Sequence, residues 1–281
     1  MMRFNSPETI GVVISTYNNP RWLEKTLTGY LAQTHRPDEI IIADDGSGPD
    51  TRELVDRFAR VLPLRHVWHP DEGFRKTVIL NRALETASAD YLIFTDQDCI
   101  PRHDFVARHY AAARPGHFLS GGYFKLPAHI SGKIDADDIT SGRCFGLEWL
   151  RKHGLRINFK CSKLLNRPWF ERIMNRVTPA RASWNGCNSS GWRTDMLAVN
   201  GFDERMQYGG EDREFGERLV NMGVRPVQMR YSLITLHLDH SRPYINPAAI
   251  ERNKAIRRIT VSEKVVQTPC GLGGHAPLTI E

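Results

Sequence analysis

Cysteine is scarce in this sequence, and long hydrophobic runs are missing altogether. Five cysteines are scattered over 281 residues without a CxxC pair, a pattern that predicts neither a disulfide framework nor a structural zinc site. The longest apolar runs, such as residues 10–14, are far too short to span a bilayer. The first residues contain no signal-peptide core. We therefore expect a cytoplasmic protein, which could still bind peripherally to the inner face of the cell membrane.

Two common nucleotide-binding motifs are also absent. No Gly-x-Gly-x-x-Gly follows the first predicted strand, and the sequence contains no Walker P-loop. These absences argue against a dinucleotide-dependent oxidoreductase and against a P-loop NTPase. The composition, with 41% hydrophobic and 25% charged residues, is that of a globular protein with one large domain.

Strands and helices alternate through the first hundred residues. Asn19 is predicted to cap the helix that begins at Pro20, and Asp50 with Glu53 to form a capping box for the second helix. A third helix is predicted from about residue 76 to 87. Short apolar runs predict strands at residues 10–15, 39–43, 64–68 and 91–95. This alternation predicts an α/β fold with a mostly parallel sheet, in which ligands bind beyond the carboxyl ends of the strands.

Polar residues follow three of these strands and predict a ligand site where the strand ends meet. Asp96 and Asp98 stand two residues apart at a strand's end, so they are expected on the same side of the backbone. Such a pair can hold one hard divalent cation, which can in turn hold a diphosphate. The alternative is an ordinary solvated turn. The three clusters are Ser15-Thr16-Tyr17-Asn18, Asp44-Asp45-Gly46-Ser47 and Asp96-Gln97-Asp98.

The three clusters, with two further segments, resemble family 2 glycosyltransferases of the GT-A fold. The later segment is similar to one shared by bacterial polysaccharide-synthesising members and by the galactosyltransferase C-terminal module. The resemblance covers about residues 10–245, and Leu80 departs from it, because many members have Arg before Asn81. The further segments are Asp71-Glu72-Gly73-Phe74-Arg75-Lys76 with Asn81-Arg82-Ala83, and Asn200-Gly201-Phe202-Asp203-Glu204 with Gly209-Gly210-Glu211-Asp212.

This resemblance implies an inverting, metal-assisted transfer from a UDP-sugar to a hydroxyl of a glycan or glycolipid in bacterial envelope polysaccharide synthesis, such as lipopolysaccharide synthesis. Residues 1–120 would form the nucleotide-sugar-binding half of the GT-A domain. Residues 121–250 would bind the acceptor and supply the base, and residues 251–281 would form a C-terminal helix and flexible tail. Two alternatives remain open: a catalytically silent GT-A-like domain that binds glycan or membrane, and a nucleotidyltransferase, although no glycine-rich activation loop follows the first strand.

The resemblance also assigns roles to individual residues. Asp212 would be the general base, and Glu211 would orient the acceptor. Asp98 and Asp96, with His237 or His240, would bind Mn²⁺ or Mg²⁺. The remaining acceptor contacts would be Trp184, Asn185 and Asn188, with Trp184 equally suited to the core. The predicted nucleotide-sugar contacts are Thr16, Tyr17, Asn18, Asp44 (as the reader of uracil), Asp45, Arg75, Lys76, Asn81 and Asp96.

A basic segment, residues 141–181, carries more than the whole net charge of +6, since its ten Lys and Arg face two acidic residues. No nucleic-acid motif accompanies this charge, so nucleic acid is not an expected partner. The segment is interpreted either as a helix at an anionic membrane surface or as a lid over the acceptor site. The predicted apolar face of this helix is Leu165, Trp169, Phe170, Ile173, Met174 and Val177, opposite Arg167, Glu171, Arg172 and Arg176.

Overall fold

Eight strands form one mixed β-sheet in the computed structural model, which describes residues 6–240 and 244–273. Their order across the sheet is β3-β2-β1-β4-β7-β6-β8-β5. The strands are β1 (Ile10–Thr16), β2 (Glu39–Asp44), β3 (Leu64–Trp68), β4 (Tyr91–Asp96), β5 (Cys99–Pro101), β6 (His117–Lys125), β7 (Ser189–Trp192) and β8 (Arg225–His237).

The two halves of the sheet differ in strand direction. β1, β2, β3 and β4 pair in parallel, as the sequence predicts. β7 is antiparallel to both β4 and β6, and β5 is antiparallel to β8, whereas β6 and β8 are parallel. Four of the seven strand pairs are therefore parallel. The predicted parallel arrangement is complete in the first half, whereas the second half is mixed because it lacks regular strand–helix crossovers.

Helices cover both faces of the sheet. Asn19 caps the first helix as predicted, since its Oδ1 accepts a hydrogen bond from Trp22 N (3.3 Å). The predicted capping box at Asp50 is wrong: the second helix starts at Pro49, whose fixed φ suits a first helical position, and no side chain caps it. The helices are α1 (Pro20–Leu31), α2 (Pro49–Ala59), α3 (Lys76–Thr86), α4 (Phe105–Ala112), α5 (Ala128–Ser131), α6 (Ala136–Thr140), α7 (Leu147–Lys152), α8 (Pro168–Val177), α9 (Arg193–Ala198), α10 (Glu211–Asn221) and α11 (Pro247–Ser262).

The central strands are buried on both faces. Val12 and Ile14 of β1 pack with residues of α1, α2 and α4, whereas Val13 packs with residues of α3 and α10 on the other side. A strand that is buried on both faces reads as a continuous apolar run, and this is the pattern of β1, β2 and β4. The sheet register then places Thr16 beside Asp44 and Ser15 beside Asp96 at one edge.

Helix α8 differs from the predicted amphipathic helix in its start and in its buried face. Leu165 lies before the helix, which begins at Pro168. Glu171, predicted on the solvated face, is buried and pairs with Arg108. Phe170 packs on Tyr231 of β8, with ring centroids 6.1 Å apart, while Met174 is half-buried. Trp169, Ile173 and Val177 remain 60%, 51% and 61% exposed. The predicted apolar face therefore has two parts: Phe170 and Met174 are half-buried, whereas Trp169, Ile173 and Val177 are exposed.

The C-terminal segment returns to the body of the protein after α11. Glu204 N donates a hydrogen bond to Cys270 O (2.8 Å), and Leu272 N donates to Asn200 O (3.3 Å). The part of the predicted flexible tail up to residue 273 is therefore held against the chain, and residues 274–281 lie outside the described residues. Within residues 6–240 and 244–273, none of the helices has the length and apolar character needed to cross a bilayer.

Candidate active site

A cavity of about 710 Å³ opens at the carboxyl ends of β1, β2 and β4. We call it the strand-end cavity. It brings together residues of all three predicted polar clusters with the later acidic pair and both candidate histidines. Its polar lining includes Ser15, Thr16, Tyr17, Asp45, Lys76, Asp96, Gln97, Asp98, Asn185, Glu211, Asp212, His237 and His240.

Lys76 forms an ion pair with Asp96 at the floor of this cavity. Its Nζ donates to Asp96 Oδ1 (2.7 Å), which also accepts from Ser15 Oγ (2.6 Å). Burial alone would lower the pKa of Lys76, but the charges of Asp96, Asp212 and Glu211 outweigh it and raise that pKa well above its ordinary value. Burial works in the opposite sense on Asp96, and its contacts with Lys76 and Ser15 lower the carboxyl pKa. Asp96 is thus held ionised by a lysine.

Asp98 faces two imidazoles instead. Its Oδ2 lies 2.9 Å from His240 Nε2 and 3.5 Å from His237 Nδ1. His237 Nδ1 is also 2.9 Å from the carbonyl oxygen of Leu238. A carbonyl can only accept, so Nδ1 carries the proton and Nε2 keeps its lone pair. This arrangement, in which one ring nitrogen donates to the backbone, is typical of metal-binding histidines.

The donor atoms around Asp98 fit a divalent cation. Asp98 Oδ2 is buried and, apart from its contacts with the two imidazoles, has no hydrogen-bond donor among the described residues. Single donor atoms of Asp98, Cys99 and His237 lie within 4.8 Å of one another. A carboxylate with imidazole suits Mn²⁺ better than Mg²⁺, which prefers oxygen ligands. Asp96, predicted to share the metal, does not belong to this group, because its carboxylate is held by Lys76.

Glu211 and Asp212 begin α10 on the opposite wall of the cavity. Gly209 and Gly210 precede them with φ angles of 112° and 102°, which L side chains rarely adopt. Gly209 N donates to Glu211 Oε2 (2.7 Å). Burial, with repulsion from Asp212, raises the pKa of Glu211 to about 7. Burial also raises the pKa of Asp212, against the attraction of Lys76.

Asp212 has the features required of a general base. Its Oδ1 is buried and has no hydrogen-bond partner among the described residues. A carboxylate with a raised pKa accepts a proton more readily near neutral pH. Lys76 offsets part of the negative charge in this part of the cavity, since it faces Asp96, Asp212 and Glu211 together.

Gln97, between the two predicted ligands, organises the end of β1. Thr16 Oγ1 donates to its Oε1, and its Nε2 donates to Tyr17 O (3.1 Å). Tyr17 OH donates to Asp71 Oδ2 (2.8 Å). Sequence reasoning assigned no role to Gln97 or Asp71, although both lie within the segments that carry the family resemblance.

An aromatic group was also missed. Phe74, Tyr208 and Tyr244 line the cavity, and their ring centroids lie 5.0 to 6.2 Å apart. Phe74 and Tyr208 each adjoin a glycine that stands at positive φ, Gly73 and Gly209. The sequence signal that could have identified Phe74 and Tyr208 as cavity residues is an aromatic residue next to a glycine.

Asp44, the predicted uracil reader, has both carboxylate oxygens engaged within the protein. Its Oδ1 accepts from Ser47 N (2.8 Å), and its Oδ2 lies 2.9 Å from His66 Nε2. Both oxygens therefore stabilise the turn after β2, and Asp44 does not line the cavity. Asp45 does line it, with Oδ1 positioned 2.7 Å from His69 Nε2.

Three other predicted nucleotide contacts have structural partners and do not line the cavity. Asn81 is buried, and its Nδ2 donates to Phe202 O (2.9 Å), which ties α3 to the segment before α10. Asn18 Oδ1 accepts from Gly48 N (2.9 Å). The Arg75 guanidinium pairs with Glu72. The predicted nucleotide contacts that do line the cavity are Thr16, Tyr17, Asp45, Lys76 and Asp96.

Two predicted acceptor contacts are core residues. Trp184 is 0% exposed and packs edge-on against Phe215, with ring centroids 4.9 Å apart, so its indole cannot stack on a sugar. Asn188 is equally buried, and its Nδ2 donates to Gly122 O (2.7 Å) and Leu233 O (2.9 Å). These bonds join β6 to β8 next to β7. Asn185 remains accessible.

A second cavity of about 1070 Å³ adjoins the first. The two share Tyr123, Asn185, Gly210, Asp212 and Arg213 in their linings. We call the second one the basic cavity, because its charged lining is Lys125, Arg156, Lys160, Lys163, Arg213 and Arg230 against Asp212 and Asp239.

Residues 11–174, more than half of the chain, match the family described as glycosyl transferase family 2. The chain belongs to glycosyl transferase family 2. Residues 176–258 of this family 2 glycosyltransferase match a second family, described as the N-terminal domain of galactosyltransferase. That segment contains Glu211, Asp212, His237 and His240, and the resemblance inferred from the motifs is confirmed.

Among curated relatives, this family 2 glycosyltransferase is similar to validoxylamine A glucosyltransferase of Streptomyces hygroscopicus subsp. limoneus. The identity is 29% over 258 residues, which cover 84% of this chain and 52% of the relative. It is also 26% identical over 240 residues to chondroitin synthase of Pasteurella multocida, covering 76% of this chain and 23% of that protein. The chain thus spans about half of one relative and about a quarter of the other.

Two solved structures confirm the predicted GT-A fold. The chain aligns with mannosyltransferase PcManGT from Pyrobaculum calidifontis, in complex with GDP-Man and Mn²⁺, with a TM-score of 0.57 and 19% identity over 97% of this chain and 66% of that one. It aligns with S. aureus TarS 1-349, in complex with UDP-GlcNAc, with a TM-score of 0.60 and 15% identity over 92% of this chain and 70% of that one.

Proposed function

We propose that this protein is an inverting glycosyltransferase that moves a sugar from a UDP-sugar to a hydroxyl of a glycan or glycolipid in bacterial envelope polysaccharide synthesis. Residues 1–120 supply most of the donor site, and residues 121–250 supply the base and the acceptor site. One observation carries the proposal: a single cavity contains both the Asp98 group with its two histidines and Asp212, whose buried Oδ1 has no hydrogen-bond partner among the described residues.

The donor diphosphate is proposed to bind at Asp98. A divalent ion, Mn²⁺ in preference to Mg²⁺, would be held there by Asp98 with His237 or His240, and would neutralise charge on the leaving diphosphate. Asp45 and Tyr17, at the other end of the cavity, would contact the nucleoside. The UDP-GlcNAc complex of TarS supports this choice of donor by analogy, and the complex of PcManGT with GDP-Man and Mn²⁺ supports the choice of metal.

Asp212 is proposed to take the proton of the acceptor hydroxyl. The hydroxyl oxygen then bonds to the anomeric carbon, and the bond from that carbon to the diphosphate breaks, so the nucleotide leaves with the electron pair. Glu211, whose pKa of about 7 leaves it partly protonated, can donate a hydrogen bond to the acceptor and orient it. Lys76 keeps Asp96 ionised and limits repulsion among the carboxylates.

A donor panel tests this proposal. The purified chain is incubated with UDP-sugars, and UDP release is measured with Mn²⁺, with Mg²⁺ and with EDTA. We expect slow release from one donor with Mn²⁺ and none with EDTA. Intact donors throughout, combined with no binding of UDP by calorimetry, would instead indicate a catalytically silent domain.

A second part of the proposal is contact between α8 and an anionic membrane. Trp169, Ile173 and Val177 form an exposed row at i, i+4 and i+8, and the exposed Arg172 and Arg176 lie beside it. Such a surface suits a membrane interface with anionic lipid. It would bring the enzyme to a lipid-borne acceptor.

Co-sedimentation tests this contact. We expect the wild type to sediment with phosphatidylglycerol vesicles but not with phosphatidylcholine vesicles. The Trp169→Ser, Ile173→Ser double variant should stay in the supernatant. Val61→Ser is the control, because Val61 is also 54% exposed but lies after α2. Equal sedimentation of the double variant and the wild type would reject the contact.

A further inference from the structure

The basic cavity has an excess of positive charge that transfer chemistry alone does not require. Six Lys or Arg line it, against two acidic residues, Asp212 and Asp239. Asp239 lies 3.7 Å from Lys125, and Asp212 also faces the strand-end cavity. The remaining cations come from distant parts of the chain: the segment before α8, the start of α10, and β8.

Three of these cations, Lys160, Lys163 and Arg230, share the lining without a carboxylate partner among the described residues. Lys163 Nζ donates only to a backbone oxygen, Tyr123 O, at 3.3 Å. Burial lowers the pKa of Lys163, and the positive charges of Arg230 and Lys160 lower it further. Within the described residues, the side chains of Lys160 and Arg230 form no hydrogen bond or ion pair. Like charges at short range cost folding free energy, which a bound anion would offset.

The size of the cavity also bears on its ligand. At about 1070 Å³, it reaches the upper end of the range for small-molecule pockets, about 300–1,000 Å³. It opens onto Asp212, the proposed base, and Arg213 follows that residue directly. A ligand that fills the cavity can therefore place one end at the reacting position while the rest lies among the cations.

We infer that the acceptor is an anionic oligosaccharide or glycolipid, whose phosphate or carboxylate groups bind Lys160, Lys163 and Arg230 while its hydroxyl lies at Asp212. The position of the hydroxyl rests on the proposed function. Anion recognition by the basic cavity rests on the lining alone. The site therefore selects acceptors by charge, through groups that are remote from the reacting hydroxyl.

Matched sugars test this inference by fluorescence anisotropy. The probes are labelled pentamannose, labelled pentamannose 6-phosphate and labelled hexagalacturonate, so that neutral, phosphate and carboxylate ligands are separated. The variant is Lys163→Gln with Arg230→Gln. The control is Arg36→Gln with Arg60→Gln, which removes the same charge from two exposed positions outside both cavities. Thermal unfolding verifies that each variant is folded.

We expect at least one anionic probe to bind ten-fold or more tightly than pentamannose, with an affinity that falls as salt increases. The cavity variant should lose that preference, and the control should keep it within two-fold. The single variant Lys160→Gln, at an exposed position, should weaken binding about three-fold even if the double variant misfolds. Equal binding of neutral and anionic probes, or equal losses in cavity and control variants, would overturn the inference.

Calorimetry with UDP and Mn²⁺ on the same preparations separates the two proposals. If UDP does not bind but the anionic probe does, the proposed donor site fails while the basic cavity stands. If UDP binds and no probe distinguishes charge, the donor site stands and the inference about the acceptor fails.

Discussion

The strand-end cavity and the basic cavity meet at Asp212 but are built in opposite ways. The first contains five buried or half-buried carboxylates against Lys76 and Arg213, and most of its residues stand at strand ends or at a helix start. The second contains six cations, drawn from β6, β8, α10 and the segment before α8, against two carboxylates. The difference indicates a donor site whose excess of negative charge suits a metal ion and an acceptor site whose excess of positive charge suits an anionic ligand.

Loss of the base should give the largest effect. Asp212→Asn keeps the shape of the side chain but cannot accept the proton, so we expect UDP release to slow by about 10²–10⁴-fold, with the affinity for UDP unchanged. The control is Glu217→Gln, which alters a carboxylate of the same helix that pairs with Arg257 and does not line either cavity. A full rate in Asp212→Asn would assign the base elsewhere.

Removal of Lys76 should increase the uncompensated negative charge of the strand-end cavity. Lys76→Met leaves Asp96 and its neighbours without their counter-charge, and we expect a loss of about 3–5 kcal/mol in the free energy of unfolding at pH 8. The loss should shrink at pH 5, where the carboxylates can take up protons. Urea unfolding measures both values. Lys254→Met, which breaks an exposed pair with Glu251, should cost far less, and equal costs would contradict the account.

Glu211 should make stability depend on pH. Its pKa is raised from 4.5 to about 7, so the folded protein binds this proton more tightly than the unfolded chain does. The stabilising contribution is complete below about pH 4.5 and is lost as the pH rises through 7. We expect Glu211→Gln to remove about 2–3 kcal/mol of the decrease in unfolding free energy between those limits. Parallel pH profiles of variant and wild type would be inconsistent with this pKa.

A lysine of the basic cavity should behave in the opposite way to Lys76. Burial and the charges of Arg230 and Lys160 lower the pKa of Lys163, so Lys163→Gln removes repulsion. We expect the unfolding free energy to stay level or rise, by up to about 1 kcal/mol. Lys133→Gln, at an exposed position outside the cavity, is the control. A large destabilisation by Lys163→Gln would mean that this lysine supports the fold.

The same contrast explains which features the sequence could predict. β1–β4 and the positions of Asp98, Lys76 and Asp212 follow from apolar runs, turn residues and motif order, because sheet register brings strand ends together. Asp44 and Asp45 are neighbours on opposite sides of the backbone, and the motif alone does not show which of them faces the cavity. His66 and Ser47 decide it by binding Asp44.

The predictions for Trp184 and for the buried face of α8 differ from the structure because both depend on packing partners that are distant in sequence. Trp184 is buried because Phe94, Phe118 and Phe215 converge on it from separate elements. The polar residues around Trp184 in the sequence are equally compatible with a sugar-binding site, so the sequence alone does not show that the indole is buried. The orientation of α8 likewise depends on Tyr231 and Ser232 of β8, the latter bonded to Asn175 (2.8 Å). Helical spacing gives the periodicity of apolar residues, but tertiary contacts choose the buried face.

The central claim, a metal-assisted nucleotide site at Asp98, is tested most directly by calorimetry. UDP is titrated into the wild type and into Asp98→Ala, each with Mn²⁺ and with EDTA, with the exposed-site variant Asp56→Ala as the control. We predict that Mn²⁺ tightens UDP binding at least ten-fold in the wild type and in Asp56→Ala, and has no effect in Asp98→Ala. An equal affinity with Mn²⁺ and with EDTA in the wild type would contradict the account.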